Sequence, residues 1–470
     1  MSIENPQEGK LKIMFIGHKM QGKSTLNGQL LFQMNRSMFD EQFIKMFQQD
    51  TRNYAYFLRA LPKYFKDFNA LIKGLFHEEE RKDRMTTEIY INEWVQEHGS
   101  KRILSIDTPG NKHYLTEWIK GLIIADIAIF VVSAVENQYQ EALSVDSETG
   151  RNLLLILKTF NYQSVIFCIN FMDDPSVKWQ EAQFKKVKKF IEDILDSEQI
   201  YFKNRLFIPT SALLGDNVTE ISKNMEWYDG LSLFDTIQKI SSKMKSDKSR
   251  IRILVGNEKE ITIKNRKTPV VFGIVESGTV SKKTTRLVIY PLGKMIDVRF
   301  FDMSGQELDE VQTDEYTYVQ FLAPNLDLKT LNGSVIGLED EPPITAADFQ
   351  AFLLVFGKDL RNGESYTFFF NNKSYTCKIV ICSKFFYKIK AEASGEEQLI
   401  KVSQQDAQVV TSIIPARTLT EVTMKIVDGK IAFESYDTNK NSSLCRFFMK
   451  QGKEIIAIGL ITRGVPRSDG

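Results

Sequence analysis

The run Gly17-His18-Lys19-Met20-Gln21-Gly22-Lys23-Ser24 carries the most legible chemistry in this chain. It fits GxxxxGK[ST], follows an apolar stretch and opens a segment of helical period, which is the context in which such a loop binds phosphate. Glycines at both ends let backbone N–H groups turn inward as an anion nest, while Lys23 reaches the outer phosphates and the Ser24 hydroxyl can ligate Mg²⁺. His18, Gly22, Lys23, Ser24 and Thr25 are the candidate nucleotide contacts here. A chance glycine-rich turn would need both the flanking strand and the flanking helix by coincidence.

Three further patterns follow in order. Asp107-Thr108-Pro109-Gly110 ends an apolar strand, where the carboxylate can hold a Mg²⁺ shell and the Gly110 N–H can bond a γ-phosphate. A DxxG is common by chance, but this one stands one strand beyond Thr86, well downstream of the phosphate loop. Asn170-Phe171-Met172-Asp173 ends another apolar run; Asp173 there can accept from the N1 and N2 donors of guanine, a pattern adenine lacks, so the nucleotide is expected to be GTP or GDP. Ser211-Ala212-Leu213, after a further strand, would complete the base site through backbone N–H groups. That last motif means nothing alone and is corroborative only by its place in the series.

These loops need a parallel sheet to carry them. From Lys10 to about Met244 short apolar runs alternate with helical stretches, which predicts a mostly parallel sheet with crossover helices. The expected strands are 11–16, 87–95, 102–106, 126–133, 164–169 and 205–209, and Trp179–Leu195 carries apolar residues at helical spacing. Each of those strands leads into a loop, and loops there hold ligands. A polar, Lys-rich stretch at Ser241–Arg250 marks a boundary, after which short β-branched and aromatic runs broken by glycines predict a small antiparallel barrel. A second boundary falls at Glu341-Pro342-Pro343, and 366–370, 375–381, 419–426 and 454–461 read as strands of a second barrel. The fold class expected is thus an α/β P-loop domain over 1–245 followed by two antiparallel β-barrels, over 251–340 and 344–466. The aromatics Phe368–Phe370 and Phe385–Tyr387 are read as barrel core more readily than as a partner surface.

The bulk numbers agree with a modular globular protein, since 470 residues exceed what one core usually organises. A formal net charge of +1 removes any global electrostatic case for polyanion or membrane affinity, and no sequence-specific nucleic-acid binding is expected. Cys168, Cys377, Cys382 and Cys445 form no CxxC pair and read as reduced core thiols rather than a disulfide framework or zinc site. The polar stretch Met1–Glu8 is unlike a secretory signal and no apolar run is long enough to span a bilayer, so a cytoplasmic location is expected.

With these motifs in order, the chain resembles the translational GTPases that include elongation factor one-alpha, from Leu11 through both barrels. The segments GHKMQGKSTLNGQLL, EERKDRMTTEI, DTPGNKHY, INFMDD and PTSALLGDNVTEISKNMEWYDG carry the resemblance. Within the family, MFIGHKMQGKSTLNGQ, INFMDDPSVKW and CRFFMKQGKEIIAIGLI are most similar to the eukaryotic class-II peptide-chain release factors, with the rescue GTPases that partner pelota close behind. The resemblance implies that Thr86 closes on Mg²⁺ and the γ-phosphate together with Gly110, so that Ser24, Thr86 and Asp107 form the metal set.

Four residues depart from the family pattern. Asn111 stands where a histidine should orient attacking water, Arg84 where glycine is usual, Phe171 where the base motif has lysine and Met20 where the phosphate loop has aspartate. Loss of a water-positioning side chain can cost orders of magnitude in rate. His113 reads as a solvated surface histidine more readily than as a substitute. The lysine's contact near the phosphate loop is expected to be lost with Phe171. Binding is therefore expected to be retained and hydrolysis weakened.

Two classes of function follow. One is a GTPase that delivers a factor to the ribosome, the stop-codon-reading class-I release factor or a pelota-like protein held on the carboxy-terminal barrel, and then hydrolyses. The other is a GTP-bound adaptor without turnover, in which nucleotide stabilises the fold by mass action. Elongation, carrying aminoacyl-tRNA, ranks below both. Family members often carry a long disordered extension before the GTPase domain; with the first strand opening at Leu11, interactions made through one are expected to be absent.

Overall fold

A computed structural model describes residues 11–36, 39, 41–48, 54, 90–95, 102–107, 115–144, 150–241, 250–263, 266–284, 286–302, 305–313, 315–322, 326–356, 358–391, 397–401, 413–416, 418–437, 442–452 and 454–465. The chain divides into two compact units, Met1–Met244 and Lys245–Gly470.

The first unit is organised by strands that are apolar from end to end. β1 (Leu11–Ile16), β4 (Ile127–Ser133) and β5 (Ser164–Asn170) are buried at every position. Continuous burial is what a parallel strand covered on both faces requires, and it explains why these runs do not alternate in polarity. With β2 (Tyr90–Val95), β3 (Arg102–Asp107) and β6 (Asn204–Pro209) they form a six-stranded sheet in the order β2-β3-β1-β4-β5-β6. β1 pairs in parallel with β3 and β4, and β4, β5 and β6 follow in parallel, while β2 lies antiparallel at the edge. One face packs Phe15, Ile129, Val131 and Cys168 against Leu26 and Leu30 of α1 (Lys23–Met34) and Leu233 and Ile237 of a helix at Leu233–Ser241.

Strand bounds match the sequence expectation to within a residue or two for five of the six; Thr87–Ile89, expected to open β2, lie outside the described residues. The helix expected over Trp179–Leu195 runs Glu181–Ser197, because Lys178 and Trp179 sit at φ of 50° and 53°, a left-handed conformation that cannot belong to an α-helix.

Among its described residues the second unit holds two large antiparallel sheets and three two-stranded ones. The first has eight strands between Arg252 and Leu338, wrapped around Ile253, Val271, Ile289, Phe300, Val319 and Ile336. The second closes on itself: Ser365–Phe370 pairs with Arg446–Gln451 on one side and with Lys373–Ala391 on the other, so six strands form a barrel. Lys373–Ala391 is bent by three register shifts against Thr418–Ile426, and bulges of this kind turn a strand around a barrel corner. Phe349, Phe368 and Phe447 fill the interior at 0% exposure, each contributing about 2–3 kcal/mol of burial. Phe368 and Phe370 are thus core, as expected, whereas Phe369 faces outward and stacks on Phe448 at 4.7 Å. The side chains of Phe385–Tyr387 lie outside the described residues.

All four cysteines are buried and free. Burial pushes the Cys168 thiol up in pKa and that of Cys377 to about 12, so both are inert packing groups. Among the described residues, no helix is long and apolar enough to cross a membrane.

Candidate nucleotide site

The described candidate loops leave the carboxyl ends of the parallel strands β1, β5 and β6. β1 ends at Ile16 and the chain turns at Gly17, φ 139°, where an added Cβ would collide with the Val131 carbonyl of β4. Gly22, φ 84°, caps α1 without a side-chain hydrogen bond. The amides of the first helical turn therefore point outward, at the positive end of the helix dipole, where an anion binds.

Lys23 is 5% exposed, and its Nζ donates to the His18 carbonyl at 2.9 Å. Burial lowers its pKa to about 8, with the Asp107 carboxylate working in the opposite direction. A phosphate at the loop would supply the countercharge that burial withholds. Burial, and then Lys23, also lower the pKa of His18, which favours a neutral imidazole beside the anion site. Thr25 is half-buried in the first turn of α1.

Ser24 Oγ donates to Asp107 Oδ2 at 2.7 Å, across 83 residues of sequence. Asp107 is fixed at the end of β3 by pairing with Phe15, and is 1% exposed. A hydroxyl and a carboxylate are hard oxygen donors, and so small a protein set fits Mg²⁺, which keeps most of its shell for water and phosphate. Among the described residues no cluster of three or more His, Cys, Asp or Glu gathers to suggest any other metal.

Asn170, fully buried at the end of β5, joins the phosphate loop to the base loops. Its Nδ2 donates to the Gln21 carbonyl at 3.1 Å and its Oδ1 accepts the Ala212 N–H at 2.9 Å. Asp173 Oδ1 is buried and accepts no hydrogen bond from any described residue. Leaving a carboxylate oxygen dry costs free energy unless a ligand satisfies it, and a guanine edge carries the matching donors. Around Ser211, the Leu214 N–H donates to Ser211 Oγ and the Gly215 N–H to the Ser211 carbonyl, which leaves the Leu213 N–H uncommitted among the described residues.

Phe171 is held at φ 63° with its ring edge against Gly22, at 3.3 Å from where a Cβ would sit. A contact to the phosphate loop at this position is therefore kept, as apolar packing rather than as a lysine's reach. Met20, at φ 61°, is 77% exposed.

The structure thus brings together His18, Gly22, Lys23, Ser24, Thr25, Asp107, Asn170, Phe171, Asp173, Ser211, Ala212 and Leu213. Arg84, Thr86, Gly110, Asn111 and His113 lie outside the described residues. Sequence reasoning missed Gln21, whose buried Oε1 accepts the Ser133 N–H at 2.6 Å and ties the loop to β4. It also missed Trp179 and Asp216, which meet at 2.8 Å between the two base loops. Their only sequence signal was membership of the quoted runs DDPSVKW and GDNVTE.

A parallel sheet whose carboxyl-end loops assemble an anion nest, a Ser–Asp oxygen pair and an orphaned Asp defines a P-loop nucleotide-binding protein. The elongation factor Tu GTP-binding domain family matches residues 9–245, and the chain belongs to that family. It is a GTP-binding translational GTPase by family, with the α/β domain followed by β-rich domains. Elongation factor 1-alpha of Saccharolobus solfataricus is 28% identical over 461 residues, covering 97% of each chain. Among solved structures, the Ski7 GTPase-like domain of S. cerevisiae bound to GTP aligns with TM-score 0.66 at 15% identity, covering 97% of this chain and 98% of that one. Elongation factor SelB of Methanococcus maripaludis, in complex with a GTP analogue, aligns with TM-score 0.54 at 16% identity, covering 98% and 81%. At such identities the structural likeness speaks for the fold alone.

Proposed function

We propose that this protein is a GTP-binding translation termination factor that binds the stop-codon-reading class-I release factor on its carboxy-terminal barrel and delivers it to the ribosome in the cytoplasm. The observation that carries the nucleotide half of this reading is the buried, unsatisfied Asp173 Oδ1 beside an assembled phosphate loop. The segments MFIGHKMQGKSTLNGQ, INFMDDPSVKW and CRFFMKQGKEIIAIGLI support the termination half.

In this reading Lys23 and the amides of residues 17–24 hold the phosphates, Asp173 and the Leu213 N–H read the base, and Phe171 flanks the loop. Ser24 and Asp107, with Thr86, would hold Mg²⁺, which when bound offsets charge on the β- and γ-phosphates. Thr86 and Gly110 close on the γ-phosphate and are released by hydrolysis, freeing the delivered factor.

Asn111 favours a second reading, a GTP-bound adaptor that docks partners without turnover, because its amide is not basic and is shorter in reach than the imidazole of the family pattern. Single-turnover GTP hydrolysis separates the two, with and without ribosomes and a class-I release factor, beside Asn111→His. Ribosome-stimulated turnover by the unmodified chain establishes a working GTPase and shows that another group orients the water. GTP binding without turnover, restored at least tenfold by Asn111→His, would withdraw the enzyme reading in favour of the adaptor.

A further inference from the structure

We propose that Asp216 and Trp179 are positioning residues of the base site: a side-chain latch that sets Asp173 against the Ser211–Leu213 loop and so governs guanine selectivity. This rests on the guanine reading above and extends it to residues outside the nucleotide motifs.

The two base loops leave neighbouring strands, β5 and β6, and nothing in strand pairing fixes the distance between their far ends. Asn170 clips them together at the roots. The latch acts at the tips. The Trp179 N–H donates to the Met172 carbonyl at 2.7 Å, closing residues 172–179 into a loop with Asp173 at its start. Left-handed backbone at Lys178 and Trp179 turns the indole toward the other loop, where Nε1 donates to Asp216 Oδ2 at 2.8 Å.

Asp216 is in turn fixed from its own side. Its Oδ1 accepts from Ser222 Oγ at 2.7 Å, and its backbone carbonyl accepts the Ser211 N–H at 3.3 Å. A displacement of Asp216 therefore moves Ser211, and a displacement of Trp179 moves Met172 and with it Asp173. Hydrogen bonds to a carboxylate are about twice as strong as neutral ones, so the indole–carboxylate bond is the strongest side-chain tie between the tips of the two loops. Trp227 Nε1 donates to the Trp179 carbonyl at 2.8 Å and keeps the indole from swinging away.

The test uses the full chain and displacement of a fluorescent GDP by unlabelled GDP and IDP, with thermal unfolding measured alongside. IDP lacks the 2-amino donor, so the ratio of GDP to IDP affinity reports how well Asp173 is aimed. Trp179→Phe removes the N–H donor together with the five-membered half of the indole and keeps a six-membered aromatic ring in place. We expect it to weaken GDP binding about tenfold and to lower the GDP/IDP ratio several-fold, with the unfolding midpoint little changed. Asp216→Ala should act in the same direction, and the double variant should be no worse than Asp216→Ala alone, because the indole–carboxylate bond is already absent from Asp216→Ala. An unchanged GDP/IDP ratio in Trp179→Phe, or equal loss of affinity for GDP and IDP, would overturn the latch. Equal binding of GDP and IDP by the unmodified chain would sink the guanine reading itself, and the latch with it.

Discussion

At the scale of single residues, the site is defined by what burial does to charge. Lys23 is held in the phosphate loop with its pKa lowered to about 8, so it is an ammonium at neutral pH and loses that charge as pH rises through 8. Phosphate binds the ammonium. GDP affinity is accordingly expected to be flat below pH 8 and to weaken by up to about tenfold per pH unit above it, measured by titration at fixed Mg²⁺. For stability the sign is opposite. Between about 8 and the ordinary 10.5 the unfolded chain keeps a proton that the folded chain has released, so stability without nucleotide rises with pH across that window.

At the scale of elements, the phosphate loop, α1 and the base loops form one packed object. Gly22 is pressed between the Asn170 amide and the Phe171 ring, with positive φ. Gly22→Ala would force the Asn170 side chain aside and strain the backbone at once. The expected outcome is a loss of about 1–3 kcal/mol in unfolding free energy, with GDP binding weakened well beyond the tenfold that one lost hydrogen bond explains. Isothermal titration and thermal unfolding on the same preparation check both halves. Binding that survives while stability falls would show that Asn170 and Gly22 are not coupled to the nucleotide.

At the scale of the whole molecule, the second unit is one body because its first large sheet shares buried contacts with residues of the part beyond Glu341. Leu254 and Val335 of that sheet pack against Ala432 and Leu444 of that part. Arg252, with a side chain only 3% exposed, is bonded through Nε to Glu434 Oε1, and through Nη1 to the Ile251 and Glu341 carbonyls. Glu434→Ala leaves that guanidinium buried with two carbonyls and no countercharge, and is expected to cost about 2–4 kcal/mol. Arg250, 46% exposed and 3.3 Å from Glu434 Oε2, is solvent-screened, and Arg250→Ala is expected to cost less than about 1 kcal/mol. Denaturant unfolding of the full chain distinguishes the two; equal effects would mean that burial at Arg252 carries no special cost.

The sequence by itself determined the phosphate loop, the order of the nucleotide motifs and the class of fold. These depend on local rules: glycine where φ must be positive, apolar runs where a parallel strand is covered twice, an acid at a strand end. It also named Ser24 and Asp107, but not that they would touch, because 83 residues separate them and only the β1–β3 pairing sets that distance. Trp179 illustrates the limit best. Its spacing with the apolar residues that follow reads as the start of a helix, yet the chain holds it in left-handed backbone, with its indole bonded to Asp216 on the next loop. Periodicity reports which side of an element is apolar. What a polar tip bonds to across two loops is fixed only when the sheet has brought those loops together.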